Sequence, residues 1–267
     1  MSDWRLYWRY VGVAIRAQIQ YRWSFLLLSA GTFVVNVVEF VGIWALFNRF
    51  GMIRGWRLPE VALLYGMVNV SFAIADAFAR GFDVVDRIIR SGDFDRVLLR
   101  PRSLVVQVAG REFAAFRVGR FLQGLLVLAW AAAALGLRWT PATVVLLPTA
   151  ILAGSCLFAG LFVLQATLAF WTVESLEVAN VFTYGGVFAG QYPLSIYRTW
   201  FRKFFTFVVP LASVNYFPAL AILGRADDAL GAPAWFGWVA PLTGAIFLLA
   251  SLRVWRFGVR HYCSTGS

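Results

Sequence analysis

Lysine and histidine are almost missing from this chain. Of its 24 basic residues, 23 are arginine and one, Lys203, is lysine, and His261 is the single histidine. A P-loop needs Gly-Lys-Ser/Thr, because its lysine reaches the β- and γ-phosphates of a nucleotide. Lys203 sits in Arg202-Lys203-Phe204, so the chain carries no such loop. One histidine cannot build an HExxH zinc site, and no serine stands in a G-x-S-x-G frame. The two cysteines, Cys156 and Cys263, have no CxxC partners, so no disulfide framework is implied. Charge of either sign is scarce as well, at 14% of residues. A soluble domain is about a quarter charged.

Apolar residues fill the space that charge leaves. Of 267 residues, 61% are hydrophobic and 17% aromatic, and mean hydropathy is +0.73. A soluble protein of this size has too little core to hide so much apolar surface, so lipid must solvate the excess. The net charge of +11 then speaks about membrane orientation before nucleic acid.

A helix needs about 20 mainly apolar residues to cross a bilayer. Stretches poor in charge fall at 23–48, 58–79, 121–137, 139–173, 178–197, 204–224 and 229–252. Trp139-Thr140-Pro141 opens its run as a turn, leaving one long helix from about Val144. The segment 204–224 contains Pro210, Asn215 and Pro218, and proline breaks a helix interior. Broken helices at membrane depth survive only under cover of protein or in a wet cavity. The positive-inside rule decides the parity. Six spans with a cytoplasmic N-terminus place sixteen basic residues inside and eight outside. The expectation is an all-α membrane protein forming a single domain over 1–267. It has six transmembrane helices, both termini cytoplasmic, and a re-entrant outer segment over 196–224. Trp200, Phe201, Phe204, Phe205, Phe207, Tyr216, Phe217, Trp235, Phe236 and Trp238 read as an aromatic belt at the outer interface; the sharper reading is a hydrophobic extracellular gate.

Two segments outside the spans have their own pattern. Over 1–22, Trp4, Trp8, Val11, Ile15 and Ile19 recur every three or four residues beside Arg5, Arg9 and Arg16. This predicts an amphipathic helix lying in the inner interface rather than a signal peptide. Between spans two and three, the loop 81–101 pairs Asp83 with Arg87 and Asp86 with Arg90 at i,i+4. Phe82, Val85 and Ile89 form one apolar stripe, and Gly92 stands where a C-cap glycine belongs. Asp93 or Asp95 starts a second short helix that stops before Pro101. The pattern predicts two short helices about a glycine bend, at the end of span two. The plainer reading is a solvated basic loop that sets orientation.

Three stretches carry a resemblance. Arg90-Ser-Gly-Asp-Phe-Asp-Arg-Val-Leu-Leu-Arg-Pro101 resembles the signature loop of ABC-2 type exporter permeases. It is closest to the branch once catalogued as a bacterial domain of unknown function. Phe170-Trp171-Thr172-Val173-Glu174-Ser175 agrees with that pattern. So does Gln191-Tyr192-Pro193-Leu194, followed through Pro210 by Asn215-Tyr216-Phe217-Pro218-Ala219. The resemblance implies a non-enzymatic transport subunit of a bacterial inner-membrane exporter. ATP and magnesium would be bound by two separate ATPase subunits, and a second permease chain, identical or homologous, would complete the assembly. It implies that the loop couples to the ATPase through Phe82, Asp83, Asp86, Arg87, Arg90, Gly92, Asp93, Asp95, Arg96 and Arg100. Glu174 and Glu177 would contact that region from the turn between spans four and five. Membrane lipid is the remaining partner, and no nucleic acid is implied.

Polar residues inside spans are functional candidates because they are costly there. Glu39 and Asn36 in span one would lie on the translocation path, where an acid favours a cationic or amphipathic substrate. Alternatively Glu39 pairs with a neighbouring arginine or is protonated and packed. Asp76 has Arg80 at i,i+4 and reads as a local pair. Gly186 and Gly190 form a GxxxG, which lets helices approach closely; the resemblance places them at the dimer interface. The competing function is an ion-coupled secondary transporter, a class that often shows internal repeats. No repeat is evident between the halves of this sequence.

Overall fold

The fold is described from a computed structural model, which covers residues 3–172, 176–226 and 229–262. Helix α1 is Asp3–Gln20, followed by α2 (Arg22–Phe50) and α3 (Leu58–Asp83). Three short helices follow: α4 (Val85–Arg90), α5 (Asp93–Leu98) and α6 (Leu104–Arg111). A 3-10 turn, Ala115–Arg117, leads into α7 (Val118–Ala134), and then come α8 (Pro141–Leu168) and α9 (Leu176–Gly190). The chain continues through α10 (Thr199–Lys203), α11 (Phe217–Leu223), α12 (Phe236–Val239) and α13 (Leu242–Arg260).

Helix α3 is the axis. From Val61 to Phe72 nearly every side chain is buried, because α7, α8 and α9 pack around it. Helix α13 covers the far side of α8, and α2 lies against α7. Most of α2 and much of α13 therefore keep one apolar face uncovered, as helices bordering lipid or another chain do. Close packing comes from small residues at the crossings. At Gly119 on α7 a Cβ would run into the Ser29 carbonyl of α2, and at Gly244 on α13 it would run into the Ala153 carbonyl of α8.

Among the described residues, five helices are long and apolar enough to cross a membrane, and a sixth crossing exists if one bent pair counts as a single span. The expected fifth span, 178–197, is shorter than the sequence implies. Helix α9 has 15 residues. At 1.5 Å per residue it rises ~22 Å, short of the roughly 30 Å hydrocarbon core. It ends at Gly190 because Gln191 and Tyr192 turn the chain and Pro193 cannot extend the helical ladder. The 196–224 segment is the bent pair. Thr199–Val208 and Ala212–Leu223 meet at 82° across Val209-Pro210-Leu211. A π-helical turn over Phe204–Val208 precedes the break, and the Val209 N–H reaches back to the Phe204 carbonyl at 3.0 Å. The α8 start is also earlier than Val144. Pro141 occupies its first turn, and the Thr140 hydroxyl accepts from the Thr143 N–H at 3.2 Å.

The amphipathic N-terminal helix lies across the α3–α6 region, but its inward stripe differs from the tryptophan stripe. Val11 is buried, with Tyr7, Tyr10, Ala14 and Gln18 beside it half-buried, whereas Trp4, Trp8 and Ile19 face outward. The Tyr7 hydroxyl donates to the Phe78 carbonyl at 2.9 Å, and burial pushes its phenol up to about 12, so it stays protonated at neutral pH. Gln18 donates to the Phe113 carbonyl and accepts from the Ala115 N–H at 3.1 Å. Trp4 and Trp8 meet edge to face at 5.5 Å on this outward side, where both remain exposed.

Helix crossings at glycine should be intolerant of bulk. Gly244→Leu is expected to cost about 1–3 kcal/mol by overpacking, lowering the thermal midpoint of the detergent-solubilised chain. Gly12→Leu on α1, which meets open space, should leave that midpoint unchanged.

Candidate functional site

Four residues of α3, Tyr65, Asn69, Phe72 and Asp76, recur at helical spacing and form one stripe. Facing them are Arg117, Arg120 and Gln123 at the start of α7, and Asn36 and Glu39 on α2. Together they make a polar seam through the helical bundle.

At the end of the seam nearest α4, the Asp76 carboxylate is fully buried. Arg117 Nε lies 2.6 Å from one oxygen and Arg80 Nη1 lies 3.0 Å from the other. Arg80 also holds Asp83 at 2.9 Å, and the Gln165 amide of α8 donates to Asp83 at 3.2 Å. The i,i+4 pairing of Asp76 with Arg80 is present, but a second arginine, Arg117 of the turn that precedes α7, completes it. Asp83 pairs with Arg80 instead of the expected Arg87, because α3 continues to Asp83 and brings the two onto one face. Asp86 and Arg90 approach to 4.0 Å.

One turn further along, Arg120 donates through Nε and Nη2 to the Asn69 side-chain oxygen, at 2.9 and 2.8 Å. Its guanidinium lies 4.4 Å from the centre of the Phe72 ring. Beyond it, the Tyr65 hydroxyl donates to the Asn36 carbonyl at 2.9 Å, with Gln123 Oε1 3.5 Å away. Asn36 itself is buried, and its amide donates to the Thr32 carbonyl at 2.6 Å. Glu39 accepts from the Gln191 amide at 2.7 Å, which ties α2 to the end of α9. Asn215 closes this region by donating to the Gly190 carbonyl at 2.7 Å.

Gly186 and Gly190 are buried inside this same bundle. A Cβ on Gly190 would come 2.9 Å from Val68 of α3, and one on Gly186 would meet Phe205 and Phe158 at 3.8 and 3.9 Å. Within the chain, the close approach at these two glycines is to α3, α8 and the bent pair.

The loop after α3 is a compact hairpin of α4 and α5. Gly92 adopts φ 71°, the left-handed conformation that suits glycine after a helix end. Asp93 begins α5 and draws in Ser91 and Arg96 at 3.2 Å, with Arg111 at 3.7 Å. The apolar stripe faces inward: Phe82, Val85, Ile88, Ile89 and Val97 are buried. Phe82 meets Trp255 of α13 at 5.2 Å between ring centres. Phe94 is wholly buried, against Phe170 at 5.2 Å and Tyr262 at 4.9 Å. Asp83, Asp86, Gly92, Asp93 and Asp95 are half-buried, while Arg87, Arg90, Arg96 and Arg100 face outward. Leu99, which the sequence reading passed over, is 84% exposed between Arg96 and Arg100. Glu174 lies outside the described residues, as does the side chain of Glu177.

A family model described as ABC-2 family transporter protein matches residues 33–266. The chain belongs to the ABC-2 transporter family. No curated protein and no solved structure matches it. ABC-2 membership and the apolar helices make it a multi-pass membrane transport component rather than an enzyme. The seam residues Tyr65, Asn69, Arg117, Arg120 and Gln123 were not singled out from sequence. The signal for them was the period of the polar residues within an otherwise apolar α3, read together with two arginines one turn apart at the start of α7.

Removing the buried acid should be costly, because Arg117 would lose its counter-charge and Arg80 would keep only Asp83. Asp76→Asn is expected to destabilise by about 3–5 kcal/mol, read as a large fall in thermal midpoint. Asp76→Leu combined with Arg117→Leu should cost less than the sum of the two single changes.

Proposed function

We propose that this ABC-2 chain is the permease subunit of an ATP-driven exporter in the bacterial cytoplasmic membrane. Both termini are cytoplasmic, as the arginine asymmetry favours. Two separate ATPase subunits bind ATP and magnesium, and a second permease chain completes the pathway. The cargo is an amphipathic small molecule or lipid-like compound that leaves the cytoplasm.

The observation that carries this reading is the α4–α5 hairpin. Its outward face presents Arg87, Arg90, Arg96, Leu99 and Arg100, an apolar tip ringed by cations. Its inward face is rooted by Phe94 and Phe82 in the aromatic cluster of Phe170, Trp255 and Tyr262. A push on the tip therefore reaches α3, α8 and α13 as one body. Asp83, through Arg80 and Asp76, carries the same displacement to α7. Dimer contact falls to the uncovered faces of α2 and α9, since the two glycines of α9 are used within the chain.

The test is whether an ABC ATPase co-purifies with the chain from its native membrane. Leu99→Asp with Arg100→Glu should cut permease-stimulated ATP hydrolysis at least about tenfold, as loss of an interface anchor does. The thermal midpoint of the permease should stay the same. A complex that forms and hydrolyses ATP equally well with this variant would remove the hairpin as the docking element. Absence of any ABC ATPase from the purified assembly would overturn the transporter reading itself.

A further inference from the structure

Orientation in the membrane accounts for basic residues at one end of the bundle and leaves those at the other end unexplained. The positive-inside asymmetry runs against arginine at the end where α3 and α8 begin. Yet Arg57 and Arg138 both line one cavity there, of about 380 Å³. That size falls within the roughly 300–1,000 Å³ of small-ligand pockets. Three parts of the fold build it: the start of α3, the α7–α8 turn from Leu135 to Thr143, and the end of the bent pair from Ala221 to Gly224.

The charge left over in this cavity is of one sign. Glu60 is the one carboxylate on its wall among the described residues, and it is already answered. Glu60 Oε2 accepts from the Arg57 N–H at 2.7 Å, and Arg225 Nη1 lies 3.1 Å from Oε1. The Arg57 guanidinium comes only to 3.9 Å of that second oxygen, and its side chain is 64% exposed. Arg138 is exposed, with no carboxylate within 4.0 Å among the described residues. The Thr143 hydroxyl reaches the Arg138 carbonyl at 3.2 Å and so pins the turn that carries this arginine. No acid stands in the first turn of α8, so the positive end of that helix adds to the same field. The rest of the wall includes apolar Leu137, Ile222 and Leu223. Trp139, next to Arg138, is 56% exposed, as a ring at a bilayer interface is.

We propose that this cavity binds the phosphate of an anionic phospholipid, taken from the leaflet on the side opposite the α4–α5 hairpin. Arg57 and Arg138 donate charge-assisted hydrogen bonds to the phosphate oxygens, and the lipid's apolar part lies on Leu137, Ile222 and Leu223. A choline head group would bring a cation among arginines with no free carboxylate to receive it. A neutral head such as glycerol is therefore preferred. A lipid seated there joins the start of α3, the α7–α8 turn and the bent pair beside the Glu60–Arg225 contact. On the topology proposed above this is the outer leaflet, but the site does not depend on the exporter reading.

The test uses the full chain in a neutral maltoside detergent. Dihexanoylphosphatidylglycerol, dihexanoylphosphatidylcholine and inorganic phosphate are titrated separately over one concentration range, below the micellar limit of the lipids, and the thermal midpoint is followed. Other cationic surfaces also attract anions, so the readout is the wild-type chain against Arg57→Gln combined with Arg138→Gln. Phosphatidylglycerol should raise the wild-type midpoint more than phosphatidylcholine or phosphate does. The concentration giving half of that rise should increase at least about tenfold in the double variant, the loss expected for a charge-assisted contact. Arg138→Gln alone, which disturbs no ion pair, should move it in the same direction. Arg49→Gln, at the end of α2 and away from the cavity wall, should leave it unchanged. Equal rises with the two lipids would overturn the proposal, as would a phosphatidylglycerol titration unmoved in the double variant or moved equally by Arg49→Gln. Inorganic phosphate acting as strongly as phosphatidylglycerol would overturn a lipid as the occupant.

Discussion

A carboxylate cut off from water has to be answered by cations in contact, and in this chain Asp76 imposes that requirement. It has no exposed surface, so Arg80 and Arg117 must both stay within a salt-bridge distance. Arg80 lies one turn along α3, but Arg117 belongs to the turn that opens α7. The ion pair therefore fixes where the chain must return after the α4–α6 excursion. It also fixes the register of α7 on α3, and with it the positions of Arg120 against Asn69 and of Gln123 beside Tyr65. Arg80 extends the constraint to Asp83 at the foot of the hairpin, and Asp83 to Gln165 of α8. One buried acid thus links the polar seam to the loop that follows α3.

A comparable device works at the opposite end of the bundle. Glu60 caps the start of α3 by accepting from the Arg57 N–H at 2.7 Å, and it also receives Arg225 at 3.1 Å. Arg225 lies 4.3 Å from the centre of the Trp56 ring and donates to the Gly55 carbonyl at 3.2 Å. The bent pair ends just before Arg225, at Gly224 with φ 64°. The broken helices are consequently clamped to the beginning of α3. They are also covered by Tyr216 and Phe217 packing on Trp56 and Phe236. This is the condition under which a break at Pro210 is tolerable in a membrane protein: the backbone groups it frees sit against protein and not lipid.

What the sequence made legible followed from properties that one residue type can carry alone. Long charge-poor runs marked α2, α3, α7, α8 and α13. Pro210 marked the break in the outer segment, and Gly92 marked the bend in the loop. What it hid depended on which face turned inward. The 178–197 run looks long enough to span, but Pro193 ends α9 early, and apolar composition does not record where a helix stops. Phe82 and Gly186 were visible as a stripe and a motif, yet both are consumed inside the chain. A GxxxG permits close approach without saying to which helix. The seam was hidden for a different reason. Arg117 and Arg120 read as loop charges setting orientation, because their partners lie some fifty residues away or fewer on another helix, and no local spacing connects them.

The scarcity of lysine fits this arrangement physically. Arginine keeps its charge when desolvated, presents several donors in a plane, and stacks on aromatic faces. Arg117 and Arg80 divide one buried carboxylate between them, Arg120 lies on Phe72 while holding Asn69, and Arg225 lies on Trp56 while holding Glu60. An ammonium group in the place of Arg120 or Arg225 would lose either the ring contact or the paired hydrogen bonds, and buried lysine readily gives up its proton. A chain that keeps several cations largely buried has little use for a cation that burial can discharge. The sole lysine, Lys203, sits at the end of α10 with an exposed side chain, where none of these demands applies.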